Sequence, residues 1–179
     1  MADAIASMPN GIKGNKNAVA ETIANNVRKK IIKEHLNDPA FYDKMSALLK
    51  EILDDLKAMR ISYEKFLKTI AEQVIKPVQK GAANDTPKQL DTPGKRALYN
   101  NLTRPSDGSN ASTLNDGDPN PRVKRVLEID WTVKTARQDN WRGNPAKENL
   151  IKEALYSVLD YDETELERIF PIIVAQTEY

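Results

Sequence analysis

The chain of 179 residues contains no cysteine, which excludes disulfide bonds, zinc knuckles, iron–sulfur clusters and thiol nucleophiles. Its single histidine, His35, also excludes His-rich metal sites and any Ser–His–Asp arrangement that does not use it. Neither sign of charge is in excess, since 27 basic and 26 acidic side chains give a formal net charge of +1. Because proteins that mainly bind nucleic acid or anionic membranes usually have a basic surplus, this balance argues against such a sole function.

Long hydrophobic runs are also missing, and none approaches the ~20 apolar residues that a membrane span needs. The first residues lack the basic start and apolar core of a secretory signal, so we expect a cytoplasmic protein with no membrane partner. The seven glycines form neither phosphate-binding pattern, G-x-x-x-x-G-K-[ST] or G-x-G-x-x-G. No E-x-K triplet is present either. The sequence therefore predicts no catalytic residue, no metal site and no cofactor in this chain.

Apolar residues recur at helical spacing through most of the chain, and alternating runs of β-branched residues are nearly absent. The clearest stripe follows Ser62, a predicted N-cap, and we expect Pro77 to end that helix. The pattern predicts an all-α fold, an irregular helical domain of about six or seven helices with one long polar loop.

Pairs of a capping residue and a proline predict helix starts at residues 38–39, 92–93 and 144–145. Asp162 and Glu165 resemble a capping box and predict the last helix, which we expect Pro171 to kink or split. Between the polar loop and residue 138, one further helix is predicted. Its expected inward stripe consists of Val123, Val126, Leu127 and Trp131.

We expect a single domain built from consecutive segments. These are a flexible lead-in at 1–16, a three-helix segment at 17–76, a connection and short helix at 77–104, a mobile polar loop at 105–121, and a C-terminal helical segment at 122–179. The loop is rich in Pro, Ser, Asp, Gly and Asn and has too few apolar side chains to offset the entropy of ordering. It is interpreted either as an insertion in a helical scaffold or as a division between two subdomains.

The turn at 138–143 places Trp141 beside Arg142 in a polar stretch between two predicted helices. Tryptophan and arginine are enriched at binding hot spots, so the turn is a candidate partner-binding site. The alternative is that Trp141 fills the core while Arg142 pairs with a nearby acid, and both interpretations can hold together. The residues predicted to bind a partner are Gln138, Asp139, Trp141, Arg142 and Lys147.

Two basic clusters are candidates for contact with DNA. They consist of Arg28, Lys29, Lys30 and Lys33, and of Arg122, Lys124 and Arg125. Such runs on amphipathic helices are usually solvated surface. Contact with phosphates is the alternative interpretation.

Five stretches of the chain together carry a resemblance to a known protein family. The most specific are QDNWRGNPAKENLIKEAL at 138–155 and ERIFPIIVAQTEY at 167–179, and they are joined by AETIANNVRKKII at 20–32, the helical stretch at 41–72 and ALYNNL at 97–102. Taken in chain order, they resemble the carboxy-terminal domain of the motor (R) subunit of type I restriction–modification enzymes. The resemblance extends from about residue 18 to the last residue and is interrupted by the polar loop.

The resemblance implies that the chain is a terminal piece of a larger subunit. That subunit carries a nuclease domain and two motor domains that hydrolyse ATP while pulling DNA, and it acts as an ATP-dependent site-specific deoxyribonuclease. The chain itself would be a non-catalytic domain that docks the motor subunit onto the methyltransferase core. The implied partners are the modification and specificity subunits and the rest of the R subunit in cis, whereas ATP and Mg²⁺ would bind the motor domains outside this chain.

Two positions depart from the family pattern. Asn140 occupies a place in the turn where glycine is expected, and the loop at 105–121 is longer and more polar than usual. The alternative function is that of an auxiliary domain that holds duplex DNA near the motor through its basic helix faces. Remote sensing of nucleotide is a third possibility that the sequence does not address.

Overall fold

The chain is described by a computed structural model that covers residues 14–80, 86–102 and 120–179. These residues form seven helices and no strand, which confirms the predicted all-α fold. Residues 1–13 of the predicted lead-in and 105–119 of the predicted polar loop lie outside the described part. The remainder of both segments is ordered locally, since Asn15 caps the first helix and Asn120 caps the helix that follows the loop.

The helices are numbered here in chain order. They are α1 (Lys16–Glu34), α2 (Pro39–Lys57), α3 (residues 63–80), α4 (Pro93–Asn101), α5 (Pro121–Ala136), α6 (Pro145–Val158) and α7 (Glu163–Ala175). A 3₁₀ turn, His35–Asn37, connects α1 to α2.

The predicted helix starts agree with the structure because their signals are local. The Ser62 hydroxyl accepts a hydrogen bond from the backbone N–H of Lys65 at 3.2 Å. Thr92, Asn144 and Asp162 cap α4, α6 and α7 in the same way, each at the N–H three residues ahead. Each cap satisfies one of the backbone donors that a helix start leaves without a partner.

Helix α3 does not end before Pro77, so that prediction was wrong. It continues from Tyr63–Ile70 through a π-helical segment, Ala71–Ile75, into Lys76–Lys80. Within the segment the backbone N–H of Lys76 bonds to the carbonyl of Ala71, five residues back. The wider π turn relieves the crowding between a proline ring and the preceding turn. Pro171 likewise lies inside α7, which is not split.

The described residues form two compact units. The first contains residues 14–35 and 41–80, and the second contains residues 36–40, 86–102 and 120–179. Each has its own apolar core: the first is built around Leu49, Phe66 and Ile70, and the second around Leu98, Ile129 and Ile169. The division falls near residue 84 and not at the polar loop.

In the second unit, hydrogen bonds hold the short segment 36–40 in place. The Asp38 carboxylate accepts hydrogen bonds from the side-chain amides of Asn100 and Asn101, both at 2.7 Å. The Asn101 side-chain oxygen in turn accepts from the backbone N–H of Ala40 at 3.0 Å, within the first turn of α2. Asn101, at the end of α4, therefore caps the backbone N–H of Ala40 at the start of α2. From the sequence, only Asp38 was expected to cap this helix.

Candidate functional site

The turn between α5 and α6 is held in a conformation that suits few residue types. Asn140 has φ 53° and Gly143 has φ 74°, and both values lie in the left-handed region. Asparagine adopts this region more readily than any residue with a bulkier side chain, although less readily than glycine. Asn140 thus takes a glycine-like backbone conformation at the position where the resemblance leads us to expect glycine.

Trp141 fills the core of the second unit. Its side chain is only 3% exposed, and its ring lies 6.3 Å from that of Phe170 on α7. The indole N–H donates a hydrogen bond to the main-chain oxygen of Tyr179 at 3.3 Å. Of the two interpretations of this tryptophan, core packing is confirmed.

Arg142 lies over the Trp141 ring and binds the chain that follows α7. Its guanidinium carbon is 4.7 Å from the ring centroid. It donates hydrogen bonds to the main-chain oxygens of Val174 (3.0 Å), Gln176 (2.5 Å) and Tyr179 (2.9 Å). The prediction that Arg142 pairs with a nearby acidic side chain was therefore wrong. The last carbonyl groups of a helix have no N–H donor within the helix. A guanidinium has five N–H groups, so it can donate to several of these carbonyls at once.

The other predicted partner-binding residues surround this turn. Gln138 and Asp139 are exposed, and the Lys147 ammonium donates to the main-chain oxygen of Asp139 at 2.5 Å. The backbone N–H of Gly143 donates to the Glu148 carboxylate at 2.7 Å. The structure thus brings all five predicted residues together, but three of them, Trp141, Arg142 and Lys147, hold the turn itself.

A buried polar network fixes the last residue of the chain. The Tyr179 hydroxyl lies 3.1 Å from a carboxylate oxygen of Asp130, which also pairs with the ammonium of Lys134 at 2.8 Å. Lys95 lies 3.8 Å from the same carboxylate and 2.8 Å from that of Asp91. The hydrogen bond with Lys95 lowers the pKa of Asp91, and the hydrogen bond with Asp91 raises the pKa of Lys95.

Burial raises the pKa of the Tyr179 hydroxyl well above its ordinary value of 10.0, and the negative charges of Asp130 and Glu178 raise it further. The folded protein therefore retains this proton to a higher pH than the unfolded chain does. Its contribution to stability is complete below about pH 10 and is lost as the pH rises above that value. The pKa of Asp91 is shifted down from the acidic range, and those of Lys95 and Tyr179 are shifted up from the basic range, so none of these groups changes its charge near pH 7. We therefore interpret the network as a structural connection between α4, α5 and the last residues.

We expect the free energy of unfolding to fall between about pH 9 and pH 11, and Tyr179→Phe to reduce this slope. Urea titrations at the two pH values measure both slopes. Lysines also titrate in this range and contribute to the slope of both proteins. The contribution of Tyr179 is therefore the difference between the slope of the wild type and that of Tyr179→Phe. Equal slopes for wild type and Tyr179→Phe would contradict the assignment.

Trp131 lies on the exposed side of α5, so its predicted inward position was wrong. It was expected to face the core, but its side chain is 68% exposed, and Leu127 is 36% exposed. The buried face of α5 instead carries Val126, Ile129 and Val133. At 100° per residue, Trp131 lies about 140° around the helix from Val126. Including Ile129 and Val133 in the apolar pattern would have revealed this position.

A shallow apolar groove of about 410 Å³ lies beside Trp131 on the second unit. We call it the Trp131 groove, and its lining residues are Lys124, Leu127, Glu128, Trp131, Thr132 and Val158. On α5, Lys124 and Glu128 are four residues apart, as are Leu127 and Trp131, so these four exposed residues form a single stripe. Lys124 and Glu128 pair with each other at 4.0 Å, which leaves the polar edge of the groove nearly neutral.

The second basic cluster is mostly occupied within the fold. Arg122 donates to the main-chain oxygen of Leu102 at 2.6 Å and lies over the Tyr99 ring. Arg125 forms an ion pair with Asp160. Lys124 pairs with Glu128, so two of the three cations in this cluster have an acidic partner within the fold. The first cluster differs: Arg28, Lys29, Lys30 and Lys33 are all exposed on α1.

The described residues contain no group of three or more His, Cys, Asp or Glu side chains placed to hold a metal ion. His35 lies at the end of α1 with its ring nitrogen 2.8 Å from the Asp43 carboxylate. Among the helices in the described ranges, none is both long and apolar enough to cross a membrane.

Comparisons with protein families, with characterised proteins and with solved structures find no significant match to this chain.

Proposed function

We propose that this chain is a non-catalytic assembly domain of the kind found at the carboxy terminus of type I restriction enzyme motor subunits. In this role it docks the ATP-dependent translocase and endonuclease subunit onto a cytoplasmic methyltransferase core of modification and specificity subunits. ATP and Mg²⁺ act in motor domains that are outside this chain. The proposal starts from the sequence resemblance, and its structural support comes from the second unit.

The observation that carries the proposal is the Trp131 groove. A tryptophan that is 68% exposed beside Leu127 and Val158 leaves apolar surface in contact with water. Such a patch with a polar rim is typical of a protein interface, and tryptophan is the residue type most enriched at interface hot spots. A stripe at helical spacing along α5 suits a partner helix that lays its apolar face beside it.

The turn at 138–143 supports the proposal indirectly. Trp141 and Arg142 join the two segments with the most specific family resemblance, at 138–155 and 167–179, into one packed structure. We infer that this tie keeps α5, α6 and α7 in fixed positions, so that the groove on α5 is presented as a preformed surface. A preformed surface loses less entropy on binding than a flexible one.

The direct test is a titration of the labelled chain with a purified methyltransferase core. We expect a saturable complex with a dissociation constant of about 10 µM or tighter. A specificity subunit from an unrelated type I system serves as the control and should bind more weakly. No complex at about 100 µM core, with a chain that circular dichroism shows to be helical, would overturn the proposed function.

A further inference from the structure

Helix α1 carries a concentration of positive charge that nothing in the assembly role explains. Its sequence contains five basic residues and two acidic ones, Glu21 and Glu34. Four of the basic residues are exposed near its carboxy-terminal end, namely Arg28, Lys29, Lys30 and Lys33, and we call them the α1 basic surface. They span six residues of helix, from 28 to 33, which is about 7.5 Å along its axis.

The charges of the α1 basic surface are not neutralised by the described residues. Lys16 and Lys57 of the same unit have carboxylate partners, Glu64 at 3.6 Å and Glu21 at 2.6 Å. By contrast, no carboxylate in the described ranges lies within ion-pair distance of the α1 basic surface. Four cations in so short a span repel one another, so an anion that binds there relieves an existing electrostatic cost.

Amide side chains extend this surface by one turn. Asn25 and Asn26 are exposed just before it, and the Asn25 side-chain oxygen accepts a hydrogen bond from Arg28 at 2.9 Å. With that oxygen occupied, the Asn25 amide presents its N–H groups as donors. Lysine, arginine and asparagine are the side chains that commonly contact phosphate oxygens in protein–DNA complexes.

We propose that the α1 basic surface binds the phosphate backbone of duplex DNA without sequence specificity. Duplex DNA presents one phosphate per about 3.4 Å of axis on each strand, so the four cations can contact two or three phosphates. An acidic protein surface is the competing partner, but it would find only one exposed aliphatic side chain on α1, Ile32, among these cations. Protein interfaces require a desolvated apolar centre, whereas phosphate contact requires only cations and donors. This inference does not depend on the assembly role.

The test measures binding of the full chain to a fluorescein-labelled duplex of about 20 base pairs by anisotropy, at salt concentrations from about 50 to 200 mM. Three phosphate contacts predict that affinity falls roughly 40-fold across this range. The variant Lys29→Gln/Lys30→Gln/Lys33→Gln should weaken binding by roughly tenfold or more at the lowest salt and flatten the salt dependence. Circular dichroism verifies that the variant stays helical.

A matched control removes the same charge from the same unit. Lys50, Lys65 and Lys68 are also exposed lysines, and Lys50→Gln/Lys65→Gln/Lys68→Gln should change the affinity less than about twofold. Equal losses in the two triple variants would overturn the proposal, as would absence of binding at the lowest salt. Displacement of the duplex by poly-glutamate at an equal concentration of charge would also overturn it, in favour of an acidic protein partner.

Discussion

Trp141→Ala lowers the free energy of unfolding of this protein by about 3–5 kcal/mol, the largest effect expected from any single substitution in the turn. The substitution removes a side chain that is 3% exposed and leaves a cavity beside Phe170. It also removes the hydrogen bond from the indole N–H to the main-chain oxygen of Tyr179. Arg142 then loses the ring over which it lies, so its bonds to the end of the chain weaken as well.

Chemical denaturation followed by circular dichroism measures this loss. The second tryptophan of the chain provides the control, because Trp131→Ala removes the same side chain from an exposed position and should change stability by about 0.5 kcal/mol or less. Trp141→Phe keeps part of the packing but not the hydrogen bond, and it should fall between the two. Equal stability losses for Trp141→Ala and Trp131→Ala would show that the burial assigned to Trp141 is wrong.

The second large effect is on binding. If the Trp131 groove docks the chain, Trp131→Ala should weaken the complex with the methyltransferase core by about 30-fold or more, which corresponds to a hot-spot loss of about 2 kcal/mol. Leu127→Ala should weaken it less, since Leu127 offers a smaller exposed surface. The change should appear mainly as faster dissociation, because substitutions within one interface alter the association rate less.

Tyr161→Ala is a matched control for this measurement. Tyr161 belongs to the same unit, is an aromatic residue and is also 68% exposed, but it packs against Tyr156 and does not line the groove. Its substitution should leave the affinity within about threefold of wild type. If wild type binds and Trp131→Ala binds equally well, the docking surface lies elsewhere although the assembly role stands. If wild type itself does not bind, the role fails.

The comparison of the two tryptophans shows where sequence reasoning stops. Trp131 belongs to an apolar pattern on α5 that permits more than one choice of inward face, and the wrong face was chosen. Trp141 lies in a polar turn with no periodicity, so its burial depends on Phe170 and Tyr179, which are distant in the chain. Arg142 was likewise assigned an acidic partner because local sequence reveals charges but not which carbonyls a fold leaves without donors.

Local sequence signals are sufficient to predict the all-α class and the residues at which the helices begin. Caps such as Ser62, Thr92 and Asp162 act over three residues, so their effect is independent of the rest of the fold. Long-range packing sets three other features: the division into two units, the continuation of α3 past Pro77 and the exposure of Trp131. These features depend on contacts between residues far apart in the chain or on small differences between alternative packings, and neither is encoded at short range.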